Sequence, residues 1–317
     1  MTAAPEPCQD VGHGVHLVDT HYVRHRLAGS HLVVDDGRAA FFDTGPAPAV
    51  PRLLAALDRL GIARERVDVV FLTHVHLDHA GGAGQLMQAL PNARAILHPR
   101  GAPHMIDPTR LIEGSIAVYG EALYRQLYGE LLPVPKERVT VTAEGDRFRV
   151  GRRTFEVVDT PGHARHHHCA VDLDHGDVYA GDTFGVSYRD FDTAAGAFIL
   201  PTTTPVQFDP DALHASIDKL MRHSPQRMML MHFGPVSGLE PLARDLHADI
   251  DEFVRIARRH AAAADREQRI ATDLFAHLCE RLDRHGDRND LATRHELLDD
   301  DVRLNAQGLG VWLGTRG

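Results

Sequence analysis

Four side chains that can bind a metal ion fall within one short segment, THVHLDHAGG. They are His74, His76, Asp78 and His79. Imidazole nitrogens and carboxylate oxygens are ligands that Zn2+, Fe2+ and Mn2+ accept in proteins. In an extended chain, alternation would place His74, His76 and Asp78 on one side and His79 on the other. Two groups of ligands that point in different directions suit two metal ions.

Three further candidates lie far apart in the chain, at His163, Asp182 and His232. Each follows a short apolar run that is typical of a strand, as His74 does. Loops at the ends of strands converge while the sheet holds their roots in place, so functional groups collect there. The repeated arrangement predicts one metal centre that is built from four strand ends.

The elements that must position these residues follow an alternating pattern in the first part of the chain. Asp36 and Gly37 separate two apolar runs, which is a hairpin signal. Leucines at helical spacing over 50–61 predict a surface helix, and a strand over 67–72 leads into the histidine-rich segment. The order strand, polar loop, helix indicates an α/β layer.

Short β-branched and aromatic runs between residues 139 and 180 predict a second sheet. A helix over 210–223 and a strand over 227–231 continue the layering. From residue 240 to about 285, apolar residues recur at spacings of three and four, which predicts two or three amphipathic helices. These tail helices are expected to pack on the sheets, cover the site or form a homodimer interface, and the pattern leaves the three open.

Composition excludes several functional classes. The chain has 317 residues and a formal charge of -10, which repels a phosphate backbone and argues against nucleic-acid binding. Three cysteines without CxxC spacing argue against a disulfide framework and favour a reducing cytoplasm. The first twenty residues lack an apolar signal region, and no run approaches the length of a membrane span. We therefore expect a cytoplasmic protein that binds no membrane.

Taken together, these motifs resemble the metallo-β-lactamase superfamily. The matching segments are HVHLDH at 74–79, TPGH ending at His163, GDT containing Asp182, and His232 before Phe-Gly-Pro. The resemblance covers roughly residues 11–238. It implies an α/β fold, an αββα sandwich of two mixed sheets flanked by helices. We therefore expect a catalytic domain over 1–238 and a helical extension over 239–317.

The resemblance also implies two divalent metal ions, with Zn2+ expected and Fe or Mn as alternatives. The first ion would be held by His74, His76 and His163, the second by Asp78, His79 and His232, and Asp182 would bridge them. Two such ions can share a water and lower its pKa from 15.7 toward about 7. The bridging hydroxide would attack the substrate, with Asp78 as the catalytic residue that orients it and accepts its proton.

The reaction expected from such a centre is hydrolysis of an ester, thioester or lactone in a small, anionic or carbonyl-containing substrate. Thioester cleavage would follow the glyoxalase II-like branch. His166 replaces the glycine of the glyoxalase II pattern GHTxGH, so the resemblance is to the broader glyoxalase-like hydrolases. Asp43 and His167 are expected to support the ligands by hydrogen bonds. The candidates for the substrate pocket are Tyr22, Phe184, Tyr188 and Arg189.

Two other functions fit the same residues. A persulfide dioxygenase-like oxidoreductase would use one iron in place of two metals. A non-catalytic metal-binding module would need a metal site closed to solvent, whereas seven ligands for two ions leave room for water. A β-lactamase fits less well because Asp78-His79 and Asp182 resemble the hydrolase side of the superfamily, and a nuclease would need a basic surface.

Overall fold

The computed structural model describes residues 8–204 and 206–314. The strands are β1 Gln9–Asp10, β2 Val15–Asp19, β3 Gly29–Asp35, β4 Arg38–Phe42, β5 Val67–Phe71, β6 Arg94–Leu97, β7 Val139–Val141, β8 Arg147–Val150, β9 Arg153–Asp159, β10 His168–Asp172, β11 Asp177–Gly181, β12 Arg227–Leu230 and β13 Gly234–Val236. The helices are α1 Val50–Leu60, α2 Leu77–Ala80, α3 Ala83–Ala89, α4 Ala102–Ile106, α5 Thr109–Tyr119, α6 Glu121–Tyr128, α7 Pro210–Arg222, α8 Leu239–Arg259, α9 Arg266–His285 and α10 Leu291–Gly314.

The first sheet has the order β1-β2-β3-β4-β5-β6-β7. Its first four strands are antiparallel, and β4 to β7 run parallel. Asp36 and Gly37 form the predicted two-residue turn between β3 and β4, with φ of 49° and 70°. Left-handed backbone at both positions matches the twist of a hairpin.

The second sheet has the order β13-β12-β11-β10-β9-β8, in which only β11 and β12 pair in parallel. The two sheets face each other across an apolar core that includes Phe42 and Phe71 from the first sheet and Phe155 and Tyr179 from the second. The ring centroids of Phe42 and Tyr179 lie 3.7 Å apart. Burial of these aromatic faces is what holds sheet against sheet.

Helices cover both outer faces of the sandwich. Leucines and alanines of α1, α3 and α4 pack on the first sheet, and α7 to α10 pack on the second. Helix α1 buries Leu53 and Leu57, one turn apart, and ends at Gly61 in the left-handed conformation. The layers run helix, sheet, sheet, helix, so the predicted αββα sandwich of two mixed sheets is confirmed.

The three tail helices share one hydrophobic core with the second sheet. Leu246 of α8, Leu274 of α9 and Leu309 of α10 are fully buried in it. Helix α8 begins at Leu239. The domain boundary near 238 stays a prediction, and its outer ends at 1–7 and 315–317 lie outside the described residues.

Two local features differ from expectation. Helix α2 begins at Leu77, so Asp78 and His79 lie on a helical turn and the extended segment ends at His76. Helix α5 was not predicted, because Gly114 and several β-branched residues give the segment a weak helical signal. Within residues 8–204 and 206–314, no helix is both long and apolar enough to cross a membrane.

Candidate metal centre

The first cluster of candidate ligands joins the two sheets at one edge of the sandwich. His74 and His76 follow β5 of the first sheet, whereas His163 follows β9 and Asp182 follows β11 of the second. Ligand atoms of all four lie within 4.8 Å of one another. Nδ1 of His76 lies 2.9 Å from Nε2 of His74 and 3.0 Å from Nε2 of His163. Three imidazoles therefore converge on one point.

The second cluster also takes ligands from both halves of the fold. Asp78 and His79 lie on α2, beyond β5, and His232 follows β12 of the second sheet. Oδ2 of Asp78 lies 3.4 Å from Nε2 of His232 and 3.7 Å from Nε2 of His79. Because α2 turns the chain after His76, Asp78 joins His79 here and does not share a cluster with His74 and His76. The expectation from an extended chain is corrected on this point.

Asp182 lies between the two clusters. Its Oδ2 is 3.3 Å from Nε2 of His163 in the first cluster. Its Oδ1 is 3.1 Å from Nε2 of His79 and 3.8 Å from Nε2 of His232 in the second. Oδ1 is buried and accepts no hydrogen bond from the described residues. A buried carboxylate oxygen in that state is suited to a cation.

Carbonyl and carboxylate oxygens fix the ring orientation of three histidines. Nδ1 of His79 donates to Oδ2 of Asp43 at 2.8 Å, and Nδ1 of His232 donates to Leu27 O at 2.8 Å. Nδ1 of His163 donates to Thr202 O at 3.2 Å. Since these oxygens only accept, Nδ1 carries a proton and Nε2 is the nitrogen that faces the cluster. This is the arrangement found around metal-binding histidines.

Asp43 and His167, the two residues predicted to support the ligands, both hydrogen-bond to backbone N–H groups near the clusters. Asp43 also accepts from the backbone N–H of Thr73 at 2.8 Å, next to His74. His167 accepts the backbone N–H of Asp182 on Nε2 at 3.2 Å, and its Nδ1 lies 2.8 Å from the hydroxyl of Thr160. The two residues thus hold the backbone beside one ligand each.

Electrostatics in the centre favour neutral imidazoles in the first cluster. Burial, together with neighbouring imidazoles such as His79, lowers the pKa of His74 well below its usual value. Burial also acts on His79, but Asp182 and Asp43 outweigh it and raise the pKa of His79 well above the usual value. Burial raises the pKa of Asp78, but His79 and His232 bring it down to about 2.

The tail reaches the centre through the loop that carries Thr202. Oδ1 of Asn305 on α10 accepts the backbone N–H of Thr203 at 2.6 Å, and its Nδ2 donates to Pro201 O at 3.3 Å. Asn305 is buried. A Cβ at Gly308 would lie 1.7 Å from Thr203 O, so only glycine allows the helix to approach this closely.

A cavity of about 430 Å³ opens directly over the two clusters. Asp78, Asp182 and His232 line its base. Of the four predicted pocket residues, Tyr22 and Tyr188 line it and the other two do not. Phe184 is fully buried in the core beneath the second sheet. The guanidinium of Arg189 turns away to donate to Ser187 O at 2.8 Å.

Sequence reasoning missed most of the cavity wall. Helix α5 and helix α10 form two of its sides, and Asp301 of α10 accepts a hydrogen bond from Tyr188 at 2.9 Å. Burial raises the pKa of Asp301 to about 6. The local sequence contains no motif that identifies these residues, because tertiary packing alone brings them to the site. The tail's apolar periodicity signalled only that helices were present.

Comparison with known proteins agrees with this geometry. The model of the Metallo-beta-lactamase superfamily matches residues 28–232, which include all seven candidate ligands. The chain belongs to the metallo-β-lactamase superfamily. The resemblance recognised in the ligand motifs is confirmed. The family match ends at His232, before the tail helices begin.

Several members of the superfamily are similar to this chain. A hydroxyacylglutathione hydrolase of Xanthomonas axonopodis pv. citri is 27% identical over 78% of this chain and 90% of its own length. A metallo-beta-lactamase fold-containing protein of Sulfurisphaera tokodaii is 27% identical over 55% of this chain, and the match spans 63% of that relative. A family protein from Thermus thermophilus has the same fold, with a TM-score of 0.69 at 19% identity over 97% of this chain and 95% of its own.

Proposed function

We propose that the protein is a divalent-metal-dependent hydrolase of ester or thioester bonds in small molecules. The observation that carries the proposal is the placement of Asp182, whose two oxygens face separate ligand clusters at the base of an open cavity. An open cavity over the ligands leaves room for water and substrate, which a purely structural metal site does not need. This feature favours an enzyme over a metal-binding module.

The residues fit two divalent ions. One ion would be held by His74, His76 and His163. The other ion would be held by Asp78, His79 and His232, and Asp182 would be a ligand of both ions. Neutral imidazoles and carboxylates in these numbers suit Zn2+, with iron or manganese as alternatives. When bound, such a pair supplies an acidified water and polarises the carbonyl of the substrate.

The chain's own residues contribute orientation and proton transfer. Asp78 lines the cavity, and its Oδ2 lies 3.4 Å from Nε2 of His232. It is therefore placed to accept a hydrogen bond from the attacking water and then its proton. Asp43, Thr202 and Leu27 hold the ligand rings through Nδ1, so the centre needs little reorganisation during the reaction.

The named relatives support a thioester among the candidate bonds. A relative that aligns with 78% of this chain is named hydroxyacylglutathione hydrolase. We propose the same class of bond, with no commitment to glutathione. Helix α10 forms one side of the cavity, so we propose that the tail beyond residue 238 belongs to the working site.

The test is metal analysis combined with hydrolysis assays on one preparation. We expect about two divalent ions per chain and hydrolysis of activated esters or thioesters. Asp182→Asn should lose at least one ion and lower kcat/KM at least a thousandfold, because the carboxylate contacts both clusters. Asp58→Asn on the exposed face of α1 is the matched control and should change neither quantity.

Two outcomes would contradict the proposal. One iron per chain with oxygen consumption on a persulfide would establish the oxidoreductase alternative. Metal-loaded protein that hydrolyses none of the ester, thioester or lactone substrates would support the non-catalytic module.

A further inference from the structure

Helix α5 turns one stripe of its surface toward the cavity. The residues are Leu111, Gly114, Ser115 and Val118, at positions i, i+3, i+4 and i+7, and all four line the cavity. This spacing defines a single face of a helix. The face carries two branched apolar side chains and, between them, two small residues that leave space. This face of α5 therefore forms a shallow groove with an apolar side chain at each end.

Helix α10 presents a second stripe with the same spacing. Leu297, Asp300, Asp301 and Leu304 line the cavity. Both carboxylates have protein partners, since Asp300 accepts from Arg303 at 2.9 Å and Asp301 accepts from Tyr188 at 2.9 Å.

The apolar surface that this face offers a ligand is that of its two leucines, and Glu296 of the same helix also lines the cavity. Together the two helices form a slot above the metal centre.

The mouth of the slot is apolar as well. Val23, Val118 and Val206 line the cavity, and their exposed fractions are 57%, 56% and 65%. Large apolar side chains that are exposed together at a concave site mark a surface that binds apolar groups. Apolar side chains thus line the slot from the metal centre to the solvent, beside the charged side chains of Arg110 and Glu296.

We propose that the slot binds a long apolar acyl chain, so that the substrate is a medium- or long-chain acyl ester or thioester. The inference rests on the proposed hydrolase function and adds the substrate class. The scissile carbonyl would lie over Asp78 and Asp182, and the chain would extend between α5 and α10 toward the mouth. A short acyl group would leave the two stripes unused.

The experiment uses 4-nitrophenyl esters of acetate, butyrate and octanoate, which share one leaving group. Each buried methylene can raise kcat/KM by up to about fourfold. We expect at least a tenfold rise from the acetyl to the octanoyl ester. A profile that stays flat or falls with chain length would overturn the inference.

Gly114→Leu tests the slot itself. A Cβ at Gly114 meets nothing within 4 Å, so a larger side chain fits there without disturbing the helix. The leucine side chain would then occupy the slot in place of the acyl chain. We expect kcat/KM for the octanoyl ester to fall at least tenfold and that for the acetyl ester to stay within twofold. Ala117→Leu, on the exposed face of the same helix, is the matched control and should leave both values within twofold.

Binding of octanoate, measured by calorimetry on the metal-loaded protein, separates the two proposals. Octanoate that binds at least tenfold more tightly than butyrate, and more weakly to Gly114→Leu, would support the slot even if no ester is cleaved. Equal binding of both acids, with ester hydrolysis intact, would overturn the slot and leave the hydrolase function standing.

Discussion

The proton on Nδ1 of His79 is held by Asp43, and this contact decides which nitrogen faces the second cluster. The carboxylate lies 2.8 Å away and also anchors the backbone of Thr73. Asp43 has a left-handed backbone with φ of 56°, a conformation that aspartate and asparagine tolerate better than most residues. The residue can therefore be changed without forcing a new backbone.

Asp43→Asn is expected to weaken metal binding at the second cluster by about 10–100-fold, because the amide is a weaker acceptor for the His79 proton. Competition with a chelator measures the affinity. Asp36→Asn is the control, since Asp36 is also left-handed, with φ of 49°, but lies in an exposed hairpin turn. Unchanged affinity in Asp43→Asn would show that the contact does not tune the ligand.

His31 is a buried histidine outside the metal centre. Burial lowers its pKa to about 3. An unfolded chain binds a proton at this residue below about pH 6.5, whereas the folded chain does not until about pH 3. The unfolded state binds more protons over that window, so the free energy of unfolding falls as the pH falls through it.

The expected loss from His31 alone is about 2 kcal/mol between pH 7 and pH 5. Urea unfolding at several pH values measures it. His31→Gln removes the titrating group, so the loss of unfolding free energy between pH 7 and pH 5 should be about 2 kcal/mol smaller than in the parent chain. His16→Gln on the neighbouring strand β2 serves as the control. An equal slope in His31→Gln and the parent chain would refute the assignment.

At the scale of elements, helix α10 is fastened to the loop that holds His163. Asn305 binds Pro201 and Thr203 on either side of Thr202, and Thr202 O accepts the Nδ1 proton of His163. Packing of the tail thus reaches the first ligand cluster through two hydrogen-bonded steps.

Asn305→Ala should lower the free energy of unfolding by about 1–3 kcal/mol, since buried backbone groups lose their partners. If the loop positions His163, metal affinity at the first cluster should also fall. Absorption spectra of the cobalt-substituted protein would report a changed ligand field, which a loss of stability alone does not produce. Gln307→Ala on the same helix is the control.

The elements show where sequence reasoning succeeds and where it stops. The strands that precede His163, Asp182 and His232 can be predicted because apolar runs meet polar residues abruptly. Helix α2 was invisible, since four residues are too few for a periodic signal. Its turn is what places Asp78 beside His232. Phe184 looked like a pocket residue because it follows Asp182, but only the packing beneath the second sheet shows that it faces inward.

At the scale of the whole molecule, the layered architecture could be predicted because its periodicities are local. The cavity could not, since it forms between helices that are 170 or more residues apart in the chain. No sequence pattern indicates that Leu111 and Leu304 line the same cavity. The ligand set was recognisable as a motif, whereas the walls that select a substrate depend on how the tail packs.

Each ligand cluster takes side chains from both sheets, with His74 to His79 from one half and His163 to His232 from the other. Bound ions would therefore act as a reversible cross-link between the halves. When the concentration of free metal ion is a thousand times the dissociation constant, binding adds about 4 kcal/mol to the free energy of unfolding.

Stripping the metal should lower the melting temperature by about 6 °C. Calorimetric scans with and without chelator measure this shift. An unchanged melting temperature would mean that the bound ions do not stabilise the fold. Assembly of the sandwich and capture of its ions would be linked equilibria, so a cell short of metal would hold a less stable protein as well as a less active one.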